Sequence, residues 1–384
     1  MIYKLCILGV TGSIGSQTLL ALKTFNNYDL KAISIGNQID KLDNILNSFP
    51  SIDFICVKNK TDFLFLKKKY INKKFFYGDK GLIKLIKKSS SDVFVNALVG
   101  YVGLLPSISI LKMNKTLLLA NKESLVVGGE IINKLLDTKH GKLYPIDSEH
   151  VAISKCLYNM KKENVKKIVI TASGGPFFNY DKKELNKVTL KEALTHPTWS
   201  MGRKISIDSA TMMNKTFEII EAYYLFDFPL NKIDTIVDRK SYVHSYVIFK
   251  NETRLQVGNP TMIEPIKYAL SFGYCKEEKF DDVEINTIAN YKLLPLSKKQ
   301  FPLLNYADLV IKNKGNYGCV LNAVNEVCVQ AFIEGKIHFI DIEKIIDKVM
   351  SSYHFSSNIN ILALNFTNKK VRRITNKIIR NMVV

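Results

Sequence analysis

The chain has 384 residues, of which 47% are hydrophobic, so it is long enough to bury a full core and to form two or three domains. Its formal net charge is +20, but the excess is almost all lysine, often in runs beside apolar residues at helical spacing. Such runs are typical of solvated helix faces, so we expect no nucleic-acid partner. The basic field should instead attract anionic small molecules.

Cysteine spacing and hydropathy narrow the class of protein further. The absence of a Cys-x-x-Cys pair argues against a zinc cluster or a disulfide framework, and buried free thiols are expected. No apolar run is long enough to span a membrane, and the first strand begins too close to Met1 for a signal peptide. We therefore predict a cytoplasmic protein without a membrane partner. The cysteines are Cys6, Cys56, Cys156, Cys275, Cys319 and Cys328.

The first predicted elements are an apolar strand and a glycine-rich turn. Residues Tyr3 to Leu8 form the strand, the turn runs from Gly9 to Gly15, and helix formers follow. Backbone N–H groups at such a junction can bind a pyrophosphate. The spacing is Gly-x-x-Gly-x-x-Gly rather than the commoner Gly-x-Gly-x-x-Gly, so on this motif alone a plain connecting turn stays open as an alternative.

The end of the second predicted strand bears on the choice of nucleotide. Leu30 to Ile35 is followed by Gly36–Gln38, at the place where an NAD enzyme would carry an acid for the ribose. The nearest acid is Asp40, beyond the strand end. The sequence therefore disfavours NAD and permits the extra phosphate of NADP.

Up to residue 146, apolar strand candidates alternate with helical stretches. This α/β pattern predicts a Rossmann-like, doubly wound parallel sheet, and we assign residues 1–146 to a nucleotide-binding domain. The last of these strands leads into Asn121–Ser124, which places polar groups at the carboxyl edge of the sheet. The candidates are Leu5 to Leu8, Ala32 to Ile35, Phe54 to Val57, Val93 to Ala97 and Thr116 to Ala120.

Three carboxylates mark the middle of the chain, residues 147–275, as a catalytic α+β domain. Asp147 and Glu149 follow an apolar run, and if that run is a strand, both side chains leave the same face near its end. Asn214, Lys215 and Glu218 fall on one side of a predicted helix. Carboxylates beside hydroxyl, amide and ammonium groups fit a hard divalent cation and a phosphorylated sugar bound together.

The last part of the chain is predicted to be helical. A charged stretch, residues 276–300, is predicted to be a linker. Residues 301–384 carry helical patterns that predict a small helical bundle. These patterns cover Ala307 to Lys312, Cys319 to Ile333, Ile342 to Met350 and Asn368 to Met382.

Several motifs closely resemble the 1-deoxy-D-xylulose 5-phosphate reductoisomerase family, and the likeness extends from end to end of the chain. The long run from His196 to Lys215 is the most specific of them. The others are Gly9–Gly15, Leu119–Leu125, Asp147–His150, Ser173–Phe177 and Leu321–Glu326.

The resemblance implies an activity with its cofactors. A member of this family rearranges 1-deoxy-D-xylulose 5-phosphate and reduces the product with NADPH to 2-C-methyl-D-erythritol 4-phosphate, a step of non-mevalonate isoprenoid biosynthesis. It uses Mg²⁺ or Mn²⁺, with Co²⁺ as a further candidate, and is expected to be a homodimer. The metal would act as a Lewis acid on the substrate carbonyl.

The same resemblance assigns roles to individual residues. The implied metal ligands are Asp147, Glu149 and Glu218, and the implied catalytic residues are these three with Lys122 and His196. The implied NADPH contacts are Thr11, Gly12, Ser13, Ile14, Gly36, Asn37, Gln38, Asn121, Glu123 and Gly202. The implied substrate contacts are Lys122, Ser148, Glu149, Ser173, His196, Trp199, Ser209, Asn214, Lys215 and Glu218.

Residues 173–203 are predicted to be a lid over the site. The segment is rich in glycine and proline and carries Trp199, the chain's only tryptophan, which could close over a ligand and exclude water. A core role for Trp199 and a passive loop role for His196 stay open. For His244, a place near the metal cleft and a core role are equally consistent with the sequence.

The chain departs from the family pattern at several positions. Asn37 stands where a lysine usually meets the NADP phosphate, so the preference for NADPH over NADH is expected to be weaker. Asp238-Arg239-Lys240 replaces a His-Pro-Gln stretch, and residues 260–264 replace a Pro-Asp-Met-Arg stretch. Thr216 stands where glycine is common.

Two other classes of function remain as alternatives. Another NAD(P)-dependent dehydrogenase would share the glycine turn but would not need three carboxylates with the segment from Ser209 to Glu218. A nucleic-acid binder is the non-enzymatic alternative, and it predicts tight binding that weakens steeply with salt.

Overall fold

The structure, a computed structural model, describes residues 1–199, 201–274 and 292–383. It comprises two compact units. The first contains Met1–Asp147 and Met262–Phe272, and the second contains Ser148–Thr261 and Gly273–Val384. Most of the predicted linker lies outside the described residues, as do Cys275 and residue 200 of the predicted lid.

The first unit is built on a seven-stranded parallel sheet. Its strands are Tyr3–Leu8 (β1), Tyr28–Ile35 (β2), Phe54–Val57 (β3), Lys74–Tyr77 (β4), Val93–Asn96 (β5), Thr116–Leu119 (β6) and Lys142–Pro145 (β7). The spatial order is β4-β3-β2-β1-β5-β6-β7, so the direction of chain progression reverses between β1 and β5. This confirms the predicted doubly wound sheet.

Helices connect these strands, as parallel pairing requires. Their apolar faces pack on the sheet: in the helix Gly78–Lys88, for example, Leu82, Leu85 and Ile86 are buried while the lysines point outward. The helices are Ser13–Leu22 (α1), Leu42–Ser48 (α2), Lys60–Lys69 (α3), Gly78–Lys88 (α4), Leu104–Lys112 (α5) and Glu123–Thr138 (α6).

A segment distant in sequence completes the core of the first unit. The helix Ile263–Leu270 (α12, numbered in chain order) buries Ile266 and Leu270 in the same hydrophobic cluster as β1 and β2. The ring of Phe272 lies 5.0 Å from that of Tyr3 and packs edge-on. The sequence assigned these residues to the middle domain, whereas in the structure their apolar face is buried in the first unit.

The second unit contains a five-stranded mixed sheet with order β11-β10-β8-β9-β12. The strands β8 and β9 are parallel and the other pairs are antiparallel. The strands are Val165–Ala172 (β8), Ile233–Val237 (β9), Val243–Phe249 (β10), Thr253–Val257 (β11) and Leu294–Pro295 (β12). Helices of the same part of the chain are Ser148–Leu157 (α7), Lys182–Leu185 (α8), Leu190–Leu194 (α9), Arg203–Ala210 (α10) and Met213–Phe226 (α11).

The C-terminal region of the second unit is helical, as predicted. The helices are Asn305–Asn313 (α13), Tyr317–Ile333 (α14), Phe339–Ser352 (α15) and Ile361–Val383 (α16). The buried Asn325 of α14 donates to the carboxylate of Asp208 in α10 at 2.8 Å, which ties this region to the middle of the chain. Cys6, Cys56, Cys156, Cys319 and Cys328 are free and buried, as expected. No described helix is both long and apolar enough to cross a bilayer.

One local prediction is wrong. Asp147 and Glu149 do not share the face of a strand, because β7 ends at Pro145 and Glu149 lies in the first turn of α7. Proline cannot donate to a sheet ladder, and Ser148 and Glu149 are favourable at a helix start, where the amides carry partial positive charge. The three carboxylates therefore come from a strand end and two helices.

Candidate active site

The glycine turn after β1 exposes the N-terminus of α1. The Gly9 N–H donates to Ser34 Oγ at 2.8 Å, and the Val10 N–H donates to Ser34 O at 2.9 Å, which fixes the turn to β2. Gly9 has φ +84°, and a Cβ there would lie 2.7 Å from Ala97 O, so glycine is required. The exposed Gly12 caps α1 without a side chain, which leaves the first amides of the helix approachable by a phosphate.

The predicted nucleotide contacts of the first unit lie at the point where the strand order reverses. The turn containing Thr11, Ser13 and Ile14 follows β1, and the loop Gly36–Gln38 follows the neighbouring strand β2. Asn37 and Gln38 are exposed, so their polar groups are accessible to a ligand. In doubly wound sheets, ligands bind beside the carboxyl ends of the strands at such a switch point.

Two of the predicted NADPH contacts, Asn121 and Glu123, are less accessible to solvent than the exposed Asn37 and Gln38. The Asn121 amide nitrogen lies 2.8 Å from Leu98 O and 3.0 Å from Glu123 Oε2, so its donors are used within the protein. Both residues are buried. We therefore expect them to support a nucleotide by fixing the loop after β6. Between them, Lys122 donates to the carboxylate of Asp147 at 2.9 Å.

Gly12→Val should weaken NADPH binding while the fold is kept. Gly12 has φ −72°, which any residue can adopt, but valine would cover the amides at the start of α1. Losing one charged hydrogen bond of about 1.5–3 kcal/mol predicts a rise of about tenfold or more in the NADPH Kd. Fluorescence titration measures it, with Ser16→Val, exposed on the same helix, as the control. An unchanged Kd in Gly12→Val would remove this turn from the nucleotide site.

The second unit contains a buried cluster of two carboxylates and an ammonium. Glu149 comes from α7, and Lys215 and Glu218 come from α11. Carboxylate oxygens of the two glutamates lie within 4.8 Å of each other. Lys215 Nζ is bound to Glu218 Oε2 and Thr171 O and lies 3.6 Å from Glu149 Oε1. The side chains of Lys215 and Glu218 are only 4% and 2% exposed.

This cluster fits a divalent cation by its donor chemistry. Two anionic oxygens held close together require a compensating positive charge, and in this structure the Lys215 ammonium supplies it. Asn214 donates to Glu218 Oε1, and Ser148 donates to Glu149 Oε2 at 2.6 Å, so both carboxylates are oriented by neighbours. The helical spacing predicted for Asn214, Lys215 and Glu218 is confirmed. Asp147, the third predicted ligand, is two residues before Glu149 in the chain.

Two further buried residues, His150 and Glu221, lie next to this cluster and were not identified as site residues from the sequence. His150 Nε2 lies 3.0 Å from the backbone oxygen of Glu218, and its Nδ1 lies 3.8 Å from Glu221 Oε2. Both side chains are buried. This pair supports the helix turn that presents Glu218. The signal for Glu221 in the sequence is its i, i+3 spacing from Glu218, which places two acids on one face of the predicted helix.

Ser173 and His196 are joined directly. Ser173 Oγ lies 2.9 Å from His196 Nε2 and accepts from the Gly175 N–H at 3.1 Å. His196 Nδ1 accepts from the backbone N–H groups of Thr198 at 3.2 Å and Trp199 at 3.0 Å. The proton of the neutral ring is therefore on Nε2, which donates to Ser173. The Ser173 hydroxyl is left with its own proton to donate to an anion.

The backbone of Ser209 lies next to the turn that carries Ser173. A Cβ added to Gly175 would lie 2.8 Å from Ser209 O, so the turn Ser173–Gly175 packs closely on the end of α10. The segments that carry the predicted phosphate contacts Ser173 and Ser209 are thus packed against each other. Gly202 is the N-cap of α10 in this unit.

The predicted lid contains two short helices, α8 and α9, each with a capping box. Trp199 is half-buried, and its ring lies 6.1 Å from that of His244. His244 therefore packs against the lid tryptophan. Motion of this segment stays a prediction.

His196 gives the stability a specific pH dependence. Burial, and next the charge of Arg239, lower the pKa of His196 from 6.5 to about 4. Between these values the unfolded chain binds a proton that the folded chain does not, so stability is complete above pH 6.5 and falls toward pH 4. Urea midpoints should fall more over this window for the wild type than for His196→Gln. The exposed His354→Gln is the control, and equal falls for wild type and His196→Gln would contradict the assignment.

Two departures from the family pattern are accommodated by specific contacts. Thr216 is buried, and its Oγ1 lies 3.1 Å from both Met212 O and Leu303 O, so the extra side chain links α11 to the segment before α13. The Asp238 carboxylate accepts from the Lys240, Tyr242 and Val243 amides, which closes the loop after β9.

Comparison with known proteins gives one family over nearly the whole chain. The model of 1-deoxy-D-xylulose 5-phosphate reductoisomerase matches residues 5–129, and two models of its C-terminal domains match residues 143–226 and 257–374. A Geobacillus sp. (strain WCH70) relative bearing that name is 39% identical over 96% of this chain and 97% of its own length. One from Macrococcus caseolyticus is 38% identical over 90% of this chain and 92% of its own length.

Solved structures agree with the sequence comparison. A DOX-P reductoisomerase in complex with NADPH, fosmidomycin and magnesium is 32% identical to this chain and superimposes with a TM-score of 0.91. The match covers 99% of this chain and 99% of that one. The Zymomonas mobilis enzyme in complex with NADPH is 30% identical, with a TM-score of 0.89 and the same coverage. With its switch-point turn and its buried carboxylate cluster, the chain belongs to the 1-deoxy-D-xylulose 5-phosphate reductoisomerase family.

Proposed function

We propose that this protein converts 1-deoxy-D-xylulose 5-phosphate to 2-C-methyl-D-erythritol 4-phosphate with NADPH and a divalent metal ion. The observation that carries this proposal is the buried cluster of Glu149, Lys215 and Glu218, which combines metal-ligating and phosphate-binding groups. Family membership over nearly the whole chain supports it.

Asp147, Glu149 and Glu218 would hold Mg²⁺ or Mn²⁺. Carboxylate oxygens are the ligands that such hard cations prefer. When bound, the ion supplies Lewis acidity toward the ketone oxygen of the substrate. Ser148 and Asn214 keep the two glutamate carboxylates in orientation through their hydrogen bonds, and Lys122 does the same for Asp147.

The phosphate of the substrate would be held by Ser173, Ser209, Asn214 and Lys215. The hydroxyl proton of Ser173 is available for this purpose, because its oxygen already accepts from His196 and Gly175. Lys215 adds a point charge. In the structure this ammonium neutralises Glu149 and Glu218, and we expect it to turn toward the phosphate when a divalent cation neutralises them.

NADPH would bind at the turn Gly9–Gly15, where the amides of α1 meet its pyrophosphate and the loop Gly36–Gln38 meets its ribose. When bound, it supplies the hydride.

Neutral His196 positions Ser173, and the half-buried Trp199 excludes water from the ligand beneath the lid. Lys122 would also contact the substrate's oxygens. A cytoplasmic location and a homodimer are part of the proposal.

The direct test is a steady-state assay with purified protein. We expect consumption of NADPH, followed by its absorbance, only when 1-deoxy-D-xylulose 5-phosphate and Mn²⁺ or Mg²⁺ are both present. Chromatography should identify 2-C-methyl-D-erythritol 4-phosphate as the product. No NADPH consumption under these conditions would contradict the proposal, and tight salt-dependent binding of DNA or RNA would favour the non-enzymatic alternative.

A further inference from the structure

Arg239 contacts the turn that carries Ser173, although the family pattern does not assign it a role. Its Nη1 donates to Ser173 O at 2.6 Å and to Gly175 O at 2.7 Å. Its guanidinium also lies over the ring of Phe178, 5.4 Å from the centroid. This arginine stands where the family pattern has the proline of a His-Pro-Gln stretch, so the contact depends on a residue particular to this chain.

The turn needs an external support. Gly174 and Gly175 have φ values of +79° and +63°, a left-handed pair that glycine adopts easily but also leaves easily. Arg239 donates to the carbonyl groups of Ser173 and Gly175, so it fixes the direction of the peptide units that follow these two residues. A Cβ on Gly174 would lie 2.8 Å from Arg239 Nη1, which shows how closely the guanidinium fills this side of the turn.

The loop that carries Arg239 also holds the segment of His196. Ser241 Oγ lies 2.9 Å from Thr198 Oγ1, and the Thr198 N–H donates to His196 Nδ1. The loop is itself rigid, because the Asp238 carboxylate accepts three of its backbone amides. Both partners of the Ser173–His196 hydrogen bond are therefore positioned from this one loop.

In the described part of the chain, the Arg239 guanidinium donates to backbone carbonyl groups. The side chain is half-buried, and this burial lowers its pKa. A partly desolvated cation beside a hydroxyl donor stabilises an anion bound at that hydroxyl more strongly than a solvated one would.

We propose that Arg239 is a positioning residue of the phosphate site, which fixes the Ser173–Gly175 turn through two carbonyl groups and adds positive charge behind the Ser173 hydroxyl. The ligand class is a phosphate monoester, with inorganic phosphate as a weaker ligand of the same site. This inference rests on the proposed function and adds to it a residue that strengthens binding of the substrate's phosphate group.

The test compares Arg239→Met with the wild type and with Arg254→Met. Arg254 is a matched control, since it also lies over a phenylalanine ring, that of Phe249 at 5.7 Å, and donates to a backbone oxygen, that of Tyr158 at 3.1 Å, in the same unit. We expect Arg239→Met to raise the KM for 1-deoxy-D-xylulose 5-phosphate about tenfold, because the Ser173–Gly175 turn loses two charged hydrogen bonds and the site loses a positive charge. The inhibition constant of inorganic phosphate should rise in parallel. The KM for NADPH and all constants of Arg254→Met should stay within about twofold of the wild type.

A general loss of structure is separated from this effect by two readouts. A purely structural role would lower kcat and thermal stability without raising the inhibition constant of phosphate. Arg239→Lys keeps the charge but cannot reproduce the planar donor geometry, so its KM should lie between those of the wild type and Arg239→Met. If Arg239→Met does not fold, Arg239→Lys alone tests the inference. We then expect its KM for the substrate and its inhibition constant for phosphate each to rise about threefold.

Unchanged KM and phosphate inhibition in the folded Arg239 variants would overturn the inference. The proposed function fails in a different way, because the wild type would then consume no NADPH with this substrate. A working wild type with unaffected Arg239 variants would contradict only the role of Arg239.

Discussion

Glu218→Gln will abolish turnover and leave NADPH affinity nearly unchanged. Glutamine has the shape of glutamate but lacks the negative charge that a divalent cation requires. Loss of several kcal/mol of electrostatic stabilisation of the reacting oxygen predicts a fall in kcat of about a thousandfold or more. The nucleotide turn Gly9–Gly15 belongs to the other compact unit, so the Kd of NADPH, measured by fluorescence titration, should change less than about twofold.

The control for this variant is Glu252→Gln. Glu252 forms an exposed ion pair with Arg254 at 2.9 Å, and such surface pairs contribute about 0–1 kcal/mol. Its activity and stability should equal those of the wild type. A large loss of NADPH affinity in Glu218→Gln, or turnover within tenfold of the wild type, would show that Glu218 does not serve the metal site.

Lys215→Met should have two separable effects. The first is a rise in the KM for the phosphorylated substrate of about 10- to 100-fold, equivalent to about 1.5–3 kcal/mol for a charged hydrogen bond to phosphate. The second is a metal-dependent loss of stability, because Glu149 and the buried Glu218 would face each other without the ammonium that now lies between them. Breaking such a buried pair costs about 3–5 kcal/mol.

Thermal unfolding with and without Mn²⁺ separates these effects. Without metal, Lys215→Met should melt well below the wild type, and saturating Mn²⁺ should restore much of the difference by binding the two carboxylates. Lys167→Met, which removes an exposed pair with Asp234 at 2.9 Å, should behave like the wild type in both assays. An unaltered substrate KM in Lys215→Met would exclude Lys215 from the phosphate site.

The sequence predicted the elements whose signals are local. The central strands β1, β2, β3, β5 and β6 are short apolar runs because both of their faces are buried, and each was located within a few residues. The edge strand β4, with the sequence Lys-Phe-Phe-Tyr, mixes charged and exposed residues and was not among the predicted strands. The apolar run that contains the edge strand β7 was considered a strand only conditionally. The docking of α12 on β1 and β2 is a long-range contact that local patterns do not encode.

The candidate site was predictable where its residues share one element. Asn214, Lys215 and Glu218 follow helical spacing, and the structure places them on α11 accordingly. The contacts of His196 with Ser173, and of Arg239 with the turn after β8, join segments more than twenty residues apart through loop geometry. The packing of Arg239 could not be read from its replacement of a proline, because that change reveals nothing about where the guanidinium points.

Metal dependence of turnover tests the central claim most directly. The protein is stripped with a chelator, and NADPH consumption with 1-deoxy-D-xylulose 5-phosphate is measured before and after adding back Mg²⁺ or Mn²⁺. We predict no turnover in the stripped enzyme and full recovery on addition of either ion, with no recovery in Glu218→Gln. Undiminished turnover by the metal-free enzyme would contradict the assignment of Asp147, Glu149 and Glu218 as ligands of a catalytic cation.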